Sequence, residues 1–150
     1  MKLWVLRHGE AEPHGTRPDS ERALTAHGRE EVLRAAAQLI GQPLTAIYAS
    51  PFLRAQETAL LVREALGFEP EIRTVEWLTP DTDPDKVAEQ LVSVSDVLLV
   101  SHNPLVGNLL SYLQHGAGYP PEKVSTAGLA ELENNELLIG SMRLNGIKHP

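Results

Sequence analysis

The sequence contains no cysteine, which excludes disulfides, thiolate catalysis and cysteine-based zinc sites. No apolar run approaches the roughly 20 residues that span a bilayer. The amino terminus enters a strand directly, without a signal-peptide pattern, so the expected location is cytoplasmic, with no membrane partner. Basic residues are the scarce charge: 13 Lys and Arg stand against 20 Asp and Glu, for a net charge of −7. A broad nucleic-acid footprint needs a basic face, so nucleic acid is not expected as a partner. In an acidic chain, a local cluster of arginine and histidine points instead to a small, specific anion. What remains is an ordinary globular composition in 150 residues, 42% apolar and 22% charged, enough for one domain with a substantial core.

The chain is organised around its first strand. Leu3 to Leu6 is apolar without alternation, the pattern of a strand covered on both faces, and it stops at Arg7-His8-Gly9. Open parallel sheets bind ligands beyond the carboxyl ends of their strands. Here that end carries a permanent cation, an imidazole and a glycine.

Further along, Ala11 to Arg22 reads as a loop, and Thr25 caps a helix running to about Ile40 through Val32, Leu33, Ala36 and Leu39, with Gly41 as its stop. His27 is expected at the surface. Thr45–Ala49 is a second strand. It ends at Ser50-Pro51, a preferred N-cap followed by proline at the first helical position. The helix that follows, to Leu66, is expected to pack through Leu53, Leu60, Leu61 and Leu66. Arg54 falls in its first turn, the wrong end for a cation unless an anion sits between the guanidinium and the helix start. Glu71–Trp77 reads as a third strand and Asp85–Val94 as a short helix. Asp96–Ser101 is the strongest buried-strand signal, followed at once by His102-Asn103-Pro104 and a helix to about Gly116. Leu129–Glu133 and Leu137–Leu144 read as two final strands joined by a tight turn at Asn134-Asn135, with a loose tail over Asn145–Pro150 in which His149 has no functional argument.

Strands alternating with helices imply an α/β fold with a doubly wound, mainly parallel sheet, and right-handed crossovers bring the strand ends to one edge. Arg7, His8, Arg54 and His102 would then converge. This set suits phosphoryl transfer without a metal. Two guanidinium forks can hold a dianion, a neutral imidazole is a competent nucleophile, and a second imidazole can donate to the equatorial oxygens. The rival is a metal site built from His8, His102 and nearby carboxylates. No HxxxH or HExxH spacing supports it, and adjacent guanidinium groups would repel a divalent ion.

The motifs that carry this chemistry resemble those of the histidine phosphatase (phosphoglycerate-mutase-like) superfamily, and in particular its small SixA-type phosphohistidine phosphatases. They are Arg7-His8-Gly9-Glu10, Arg22 with Leu24-Thr25-x-x-Gly28, Ser50-Pro51-Phe52-Leu53-Arg54-Ala55-x-x-Thr58, Leu78-Thr79-Pro80, and Ser101-His102-Asn103-Pro104-Leu105-Val106-Gly107. The resemblance implies a cofactor-independent phosphatase with His8 as the phosphorylated nucleophile. Arg7, Arg54 and His102 would form the phosphate pocket, with Asn103 and Arg22 as further substrate contacts. A leaving-group acid is implied near the third strand, where Glu76 stands with Asp81 and Asp83 close behind. The short Trp77–Ser95 connection leaves no room for a helical cap, so a minimal fold with an open mouth is expected. A phosphohistidine on a partner protein is the expected substrate. A small phosphoester is the alternative, and a phosphate-binding module without catalysis is a third reading.

Overall fold

In the computed structural model, which describes residues 1–150, six strands form one sheet in the order β3-β2-β4-β1-β5-β6. They are β1 (Lys2–Arg7), β2 (Ala46–Ala49), β3 (Arg73–Thr74), β4 (Val97–Ser101), β5 (Leu129–Glu133) and β6 (Arg143–Lys148). The four helices are α1 (Ala26–Ala37), α2 (Leu53–Leu66), α3 (Pro84–Gln90) and α4 (Leu105–His115). β1, β2, β3 and β4 run parallel, while β5 is antiparallel to β1 and β6 to β5. The expected doubly wound, mainly parallel α/β sheet is therefore present.

The unbroken apolar runs of β1 and β4 follow from their central place. Leu3 and Val5 point to the face covered by α3 and α4, among Val87, Leu91, Leu105 and Leu109. Trp4 and Leu6 point to the opposite face, among Val32 of α1, Leu39 just after it, and Ala55 and Val62 of α2. Every residue of β4 is buried. Each such side chain contributes roughly 1.5–3 kcal/mol of transfer free energy, which fixes the register of the strands whose ends carry the polar residues.

Several elements differ from expectation. α2 starts at Leu53, and its inner face is Ala55, Thr58, Ala59 and Val62, while Leu53 and Leu60 are exposed. Small residues let this helix lie close to the sheet, which the longer leucines could not. On α1 the buried face is Val32, Ala35, Ala36 and, in the following turn, Leu39; Leu33 and Ile40 are exposed. The third strand is only Arg73–Thr74, because Glu76–Leu78 turns into a 3-10 helix that buries Leu78. The helix expected over Asp85–Val94 is α3, shorter at its carboxyl end. The largest change is at the carboxyl terminus. Asn134 to Met142 is a nine-residue connection rather than a tight turn, and the expected loose tail forms most of β6. The apolar Leu137–Ile139 run belongs to that connection, where Gly140 and Met142 donate backbone hydrogen bonds to the Leu113 carbonyl at the end of α4. No helix is long and apolar enough to cross a membrane.

Candidate active site

β1, β2 and β4 end side by side, and backbone hydrogen bonds continue one residue past β1 and β2. His8 N donates to Ser101 O at 3.0 Å and Ser50 N to Val100 O at 3.1 Å. His8 and Ser50 are thereby fixed at one edge, His102 follows β4 there and meets Ser50, and α2 delivers Arg54 to the same place from its first turn. The structure brings together His8, Arg54, Arg22 and His102.

His8 is almost completely buried. Its Nδ1 lies 2.7 Å from the Gly9 carbonyl. A carbonyl only accepts, so Nδ1 carries the proton and the lone pair is on Nε2. Arg54 confirms the assignment by donating Nε–H to His8 Nε2 at 3.3 Å. Burial depresses the His8 pKa to about 4, against a partial opposing effect of the Gly9 hydrogen bond and with help from Arg54, Arg7 and Arg22. His8 is therefore a neutral imidazole at pH 7, with its nucleophilic nitrogen directed at a guanidinium.

Arg54 makes two further contacts, from its two terminal nitrogens to Asp19 O at 2.6 Å and Asp19 Oδ2 at 3.2 Å, and its guanidinium lies 5.1 Å from the Phe52 ring centre. The other carboxylate oxygen of Asp19 accepts from Arg22 Nε at 2.9 Å, and Arg22 also donates to Glu12 O at 2.6 Å. Asp19, in a 3-10 turn of the loop before α1, thus bridges two arginines that would otherwise repel. Burial alone would raise its pKa, but the Arg22 hydrogen bond and the Arg54 charge hold it below the ordinary carboxylate value. The sequence reading did not single out Asp19. Its position three residues before Arg22 was the available signal.

Arg7 is half-buried and donates to Val124 O at 2.9 Å, while its Nε is buried without a partner. Burial lowers its pKa, with Glu31 pushing the other way. His102 lies with its ring centre 5.1 Å from that of His8, and Phe52 packs edge-on against it at 5.1 Å. Its Nε2 is 2.8 Å from Ser50 Oγ, and its Nδ1 is buried without a partner. Burial, then the neighbouring His8 and Arg54, drives its pKa down to about 2, so it too is neutral. Asn103 has both ends of its amide engaged, Nδ2 donating to Val124 O and Oδ1 accepting from Gly107 N, each at 3.2 Å. Glu76 is exposed in its 3-10 turn and makes no side-chain hydrogen bond or ion pair. That turn is tied to the end of β4 by Ser101 Oγ, which donates to Leu78 O at 2.7 Å. No three histidine, aspartate or glutamate side chains gather as a metal-binding cluster.

The rest of the motif residues hold these groups in place. A Cβ on Gly28 would sit 2.1 Å from Glu10 O, and one on Gly9 2.5 Å from Gly28 O, so the two backbones meet where no side chain fits. Thr58 accepts from Gly9 N at 3.2 Å and donates to Arg54 O at 2.8 Å, joining the nucleophile's neighbour to the arginine's own turn. Thr25 caps α1 by accepting from Gly28 N at 3.0 Å. The buried Glu31 accepts from Glu10 N at 2.9 Å and from Thr126 Oγ1. Ser50 was expected to cap α2; its Oγ accepts from Phe52 N at 3.3 Å, one turn ahead of the helix proper, and meets His102.

Comparison with known proteins identifies the family. The family model described as histidine phosphatase superfamily (branch 1) matches residues 3–78. Phosphohistidine phosphatase SixA of Escherichia coli (strain K12) is 33% identical over 143 residues, 91% of this chain and 87% of that protein. A SixA homolog of Haemophilus influenzae is 33% identical over 127 residues, 75% of this chain and 77% of its own. The solved structure of the protein histidine phosphatase SixA complexed with tungstate superposes with a TM-score of 0.87 at 31% identity, covering 99% of this chain and 97% of that one. The chain belongs to the histidine phosphatase superfamily.

Proposed function

We propose that the protein is a metal-independent phosphatase that removes the phosphoryl group from a phosphohistidine on a partner protein, by way of a phosphorylated His8. The observation that carries this reading is the neutral His8 with its Nε2 lone pair held beside Arg54, Arg22 and His102.

The His8 Nε2 lone pair forms a bond to phosphorus as the P–N bond of the substrate breaks and returns its electron pair to the leaving imidazole. If that imidazole already carries a proton on its other nitrogen, it departs neutral and needs no acid. The phosphorylated His8 is then an imidazolium, and its Nδ1–H···O=C bond to Gly9 stabilises the new positive charge. Water attacks the phosphorus in the second step. The P–N bond to His8 breaks, phosphate leaves, the proton lost by water passes to phosphate or solvent, and His8 returns to its Nδ1–H tautomer. Throughout, Arg7, Arg54 and Arg22 neutralise the phosphoryl oxygens, and His102 meets the charge that spreads over them in the transition state. Asn103 acts by bracing the Val124 carbonyl that orients Arg7 and, through Gly107, the first turn of α4.

The choice of a protein substrate rests on the segment that could have been a lid. α3 turns its apolar face, Val87, Ala88 and Leu91, into the core beneath the sheet, and nothing in the Thr79–Asp96 connection is long enough to fold over the site. Exclusion of water then falls to a partner's own surface. The relatives named for phosphohistidine phosphatase activity support the same substrate class.

The test is a label-transfer experiment with a protein carrying 32P-phosphohistidine. Acid-labile label is expected on His8, absent from His8→Ala, with turnover unchanged by chelator. Label on another residue, or activity that chelator abolishes, would refute the mechanism. A small phosphoester turned over with tenfold higher kcat/KM than any phosphohistidine protein would refute the substrate class.

A further inference from the structure

We propose that Ser50 is a positioning residue that holds His102 in its Nδ1–H tautomer, so that an uncommitted N–H donor stands beside the nucleophile; this rests on the phosphoryl-transfer reading of the site. Ser50 is completely buried, and its Oγ has two neighbours, Phe52 N–H at 3.3 Å and His102 Nε2 at 2.8 Å. The first can only donate to it. The Ser50 hydroxyl proton has no acceptor other than His102 Nε2, and a buried hydroxyl donates where it can. Nε2 is then the acceptor, and the proton of the neutral imidazole sits on Nδ1.

The opposite tautomer leaves two buried groups without partners. Nε2–H would donate to Ser50 Oγ, stranding the serine's own proton, and Nδ1 would be a lone pair with nothing to accept from. With Ser50 as donor only Nδ1–H is unmatched, and it is unmatched beside His8, whose ring centre is 5.1 Å away. Orphaned buried polar groups are rare, and one at the centre of a site marks a group reserved for the reacting species. An N–H there meets phosphoryl oxygens as a donor; a lone pair would repel them. Histidine in water favours the Nε2–H form, so the required tautomer has to be imposed, and Ser50 is placed to impose it. The serine is also pinned by Phe52, whose ring closes over both His102 and Arg54. One short turn therefore fixes the direction of two donors.

The experiment has a resting-state arm and a kinetic arm. In 15N NMR spectra of the substrate-free protein, His102 should show a protonated Nδ1 and a pyridine-type Nε2, and Ser50→Ala should reverse the two. In hydrolysis of p-nitrophenyl phosphate, Ser50→Ala should lower kcat about 100-fold, the cost of one misdirected transition-state donor. KM should change little, Ser50→Thr should regain at least tenfold over Ala, and Ser50→Ala in a His102→Ala background should add nothing. A wild-type spectrum with Nε2–H on His102 overturns the proposal whatever the variants do. So does a Ser50→Ala enzyme within threefold of wild type, or a further loss in the double variant. If wild type hydrolyses neither the ester nor a phosphohistidine protein, the phosphatase reading fails while the spectrum still decides the tautomer.

Discussion

Replacing Gly28 with alanine sets two effects against each other, and the structure decides the sign. Gly28 lies in the first turn of α1, where alanine gains up to about 1 kcal/mol of helix propensity over glycine. The new Cβ would be 2.1 Å from the Glu10 carbonyl oxygen and 2.9 Å from its carbon and nitrogen, which are backbone atoms with no rotamer to change. Glu10 is tethered on three sides, by Thr25 N to its carbonyl at 3.0 Å, by its own N–H to Glu31 at 2.9 Å and by its carboxylate to Thr25 Oγ1 at 2.7 Å. Relieving the overlap takes a shift of over an ångström and breaks at least the first two. A neutral hydrogen bond is worth about 0.5–1.5 kcal/mol and one to a charged group about 1.5–3. The loss is about 2–4 kcal/mol, or about 1–3 after the propensity gain. A 150-residue protein loses about 2–4 °C of Tm per kcal/mol, so Tm should fall by several degrees. Because Glu10 is two residues from His8, kcat should fall as well. Urea titration and thermal melting, beside an exposed-site control such as Glu30→Ala on the same helix, measure the difference. A Gly28→Ala protein as stable as wild type would refute the close-contact account of the motif.

Three other outcomes are expected. The unfolded chain takes up a proton on His8 near its ordinary pKa of 6.5, whereas the folded protein resists until about pH 4. This contribution is therefore complete above pH 6.5 and lost as pH falls from 6.5 to 4, by about 3 kcal/mol in all; urea unfolding of wild type against His8→Gln from pH 7 to 4.5 should show the gap, and parallel curves would refute it. Asp19→Asn keeps the shape of the bridge but removes the negative charge from between Arg54 and Arg22. Inorganic phosphate should then inhibit severalfold more strongly, most at low ionic strength, and unchanged inhibition would show that Asp19 does not compete for the guanidinium groups. Glu76→Gln should slow hydrolysis of an aryl phosphate more than that of a phosphohistidine protein, since only the first leaving group needs a proton; equal slowing would remove Glu76 as the acid.

What could be read from the chain beforehand was whatever repeats locally. β1 and β4 declare themselves because burial on both faces leaves their central runs apolar, and Thr25 marks a helix start by chemistry that acts within one turn. The convergence of His8, Arg54 and His102 followed from topology, since parallel strands end together. The parts that were not legible depend on long-range partners. β6 is a strand because β5 offers it an edge, and Arg-Leu-Asn-Gly-Ile-Lys has too few apolar residues to announce it. Leu137–Ile139 has the composition of a strand and serves as a connection because Gly140 and Met142 bond to the end of α4. On α2, Leu61 and Leu66 pack at the margin of the core as expected, but Leu53 and Leu60 do not. The space closest to the sheet is taken by Ala55, Thr58, Ala59 and Val62, which leucine outranks in hydrophobicity. The link from Asp19 to Arg54 and the link from the Ser50 hydroxyl to His102 were hidden for a similar reason: each joins residues more than 30 positions apart.

The two borders of the sheet bear on how this molecule meets others. β3 offers only two residues, and Arg73 folds back over the Tyr48 ring at 5.4 Å and bonds its hydroxyl. At the far side β6 carries Arg143 and Lys148 at its ends, and a register shift between Glu131 and Leu132 interrupts its pairing with β5. Very short strands, charge and bulges are the devices that stop sheets from adding strands to one another. These features work against an extended peptide or a second copy adding a strand at either margin. The loops beyond the strand tips, where His8 stands, are then the better meeting place for a visiting molecule.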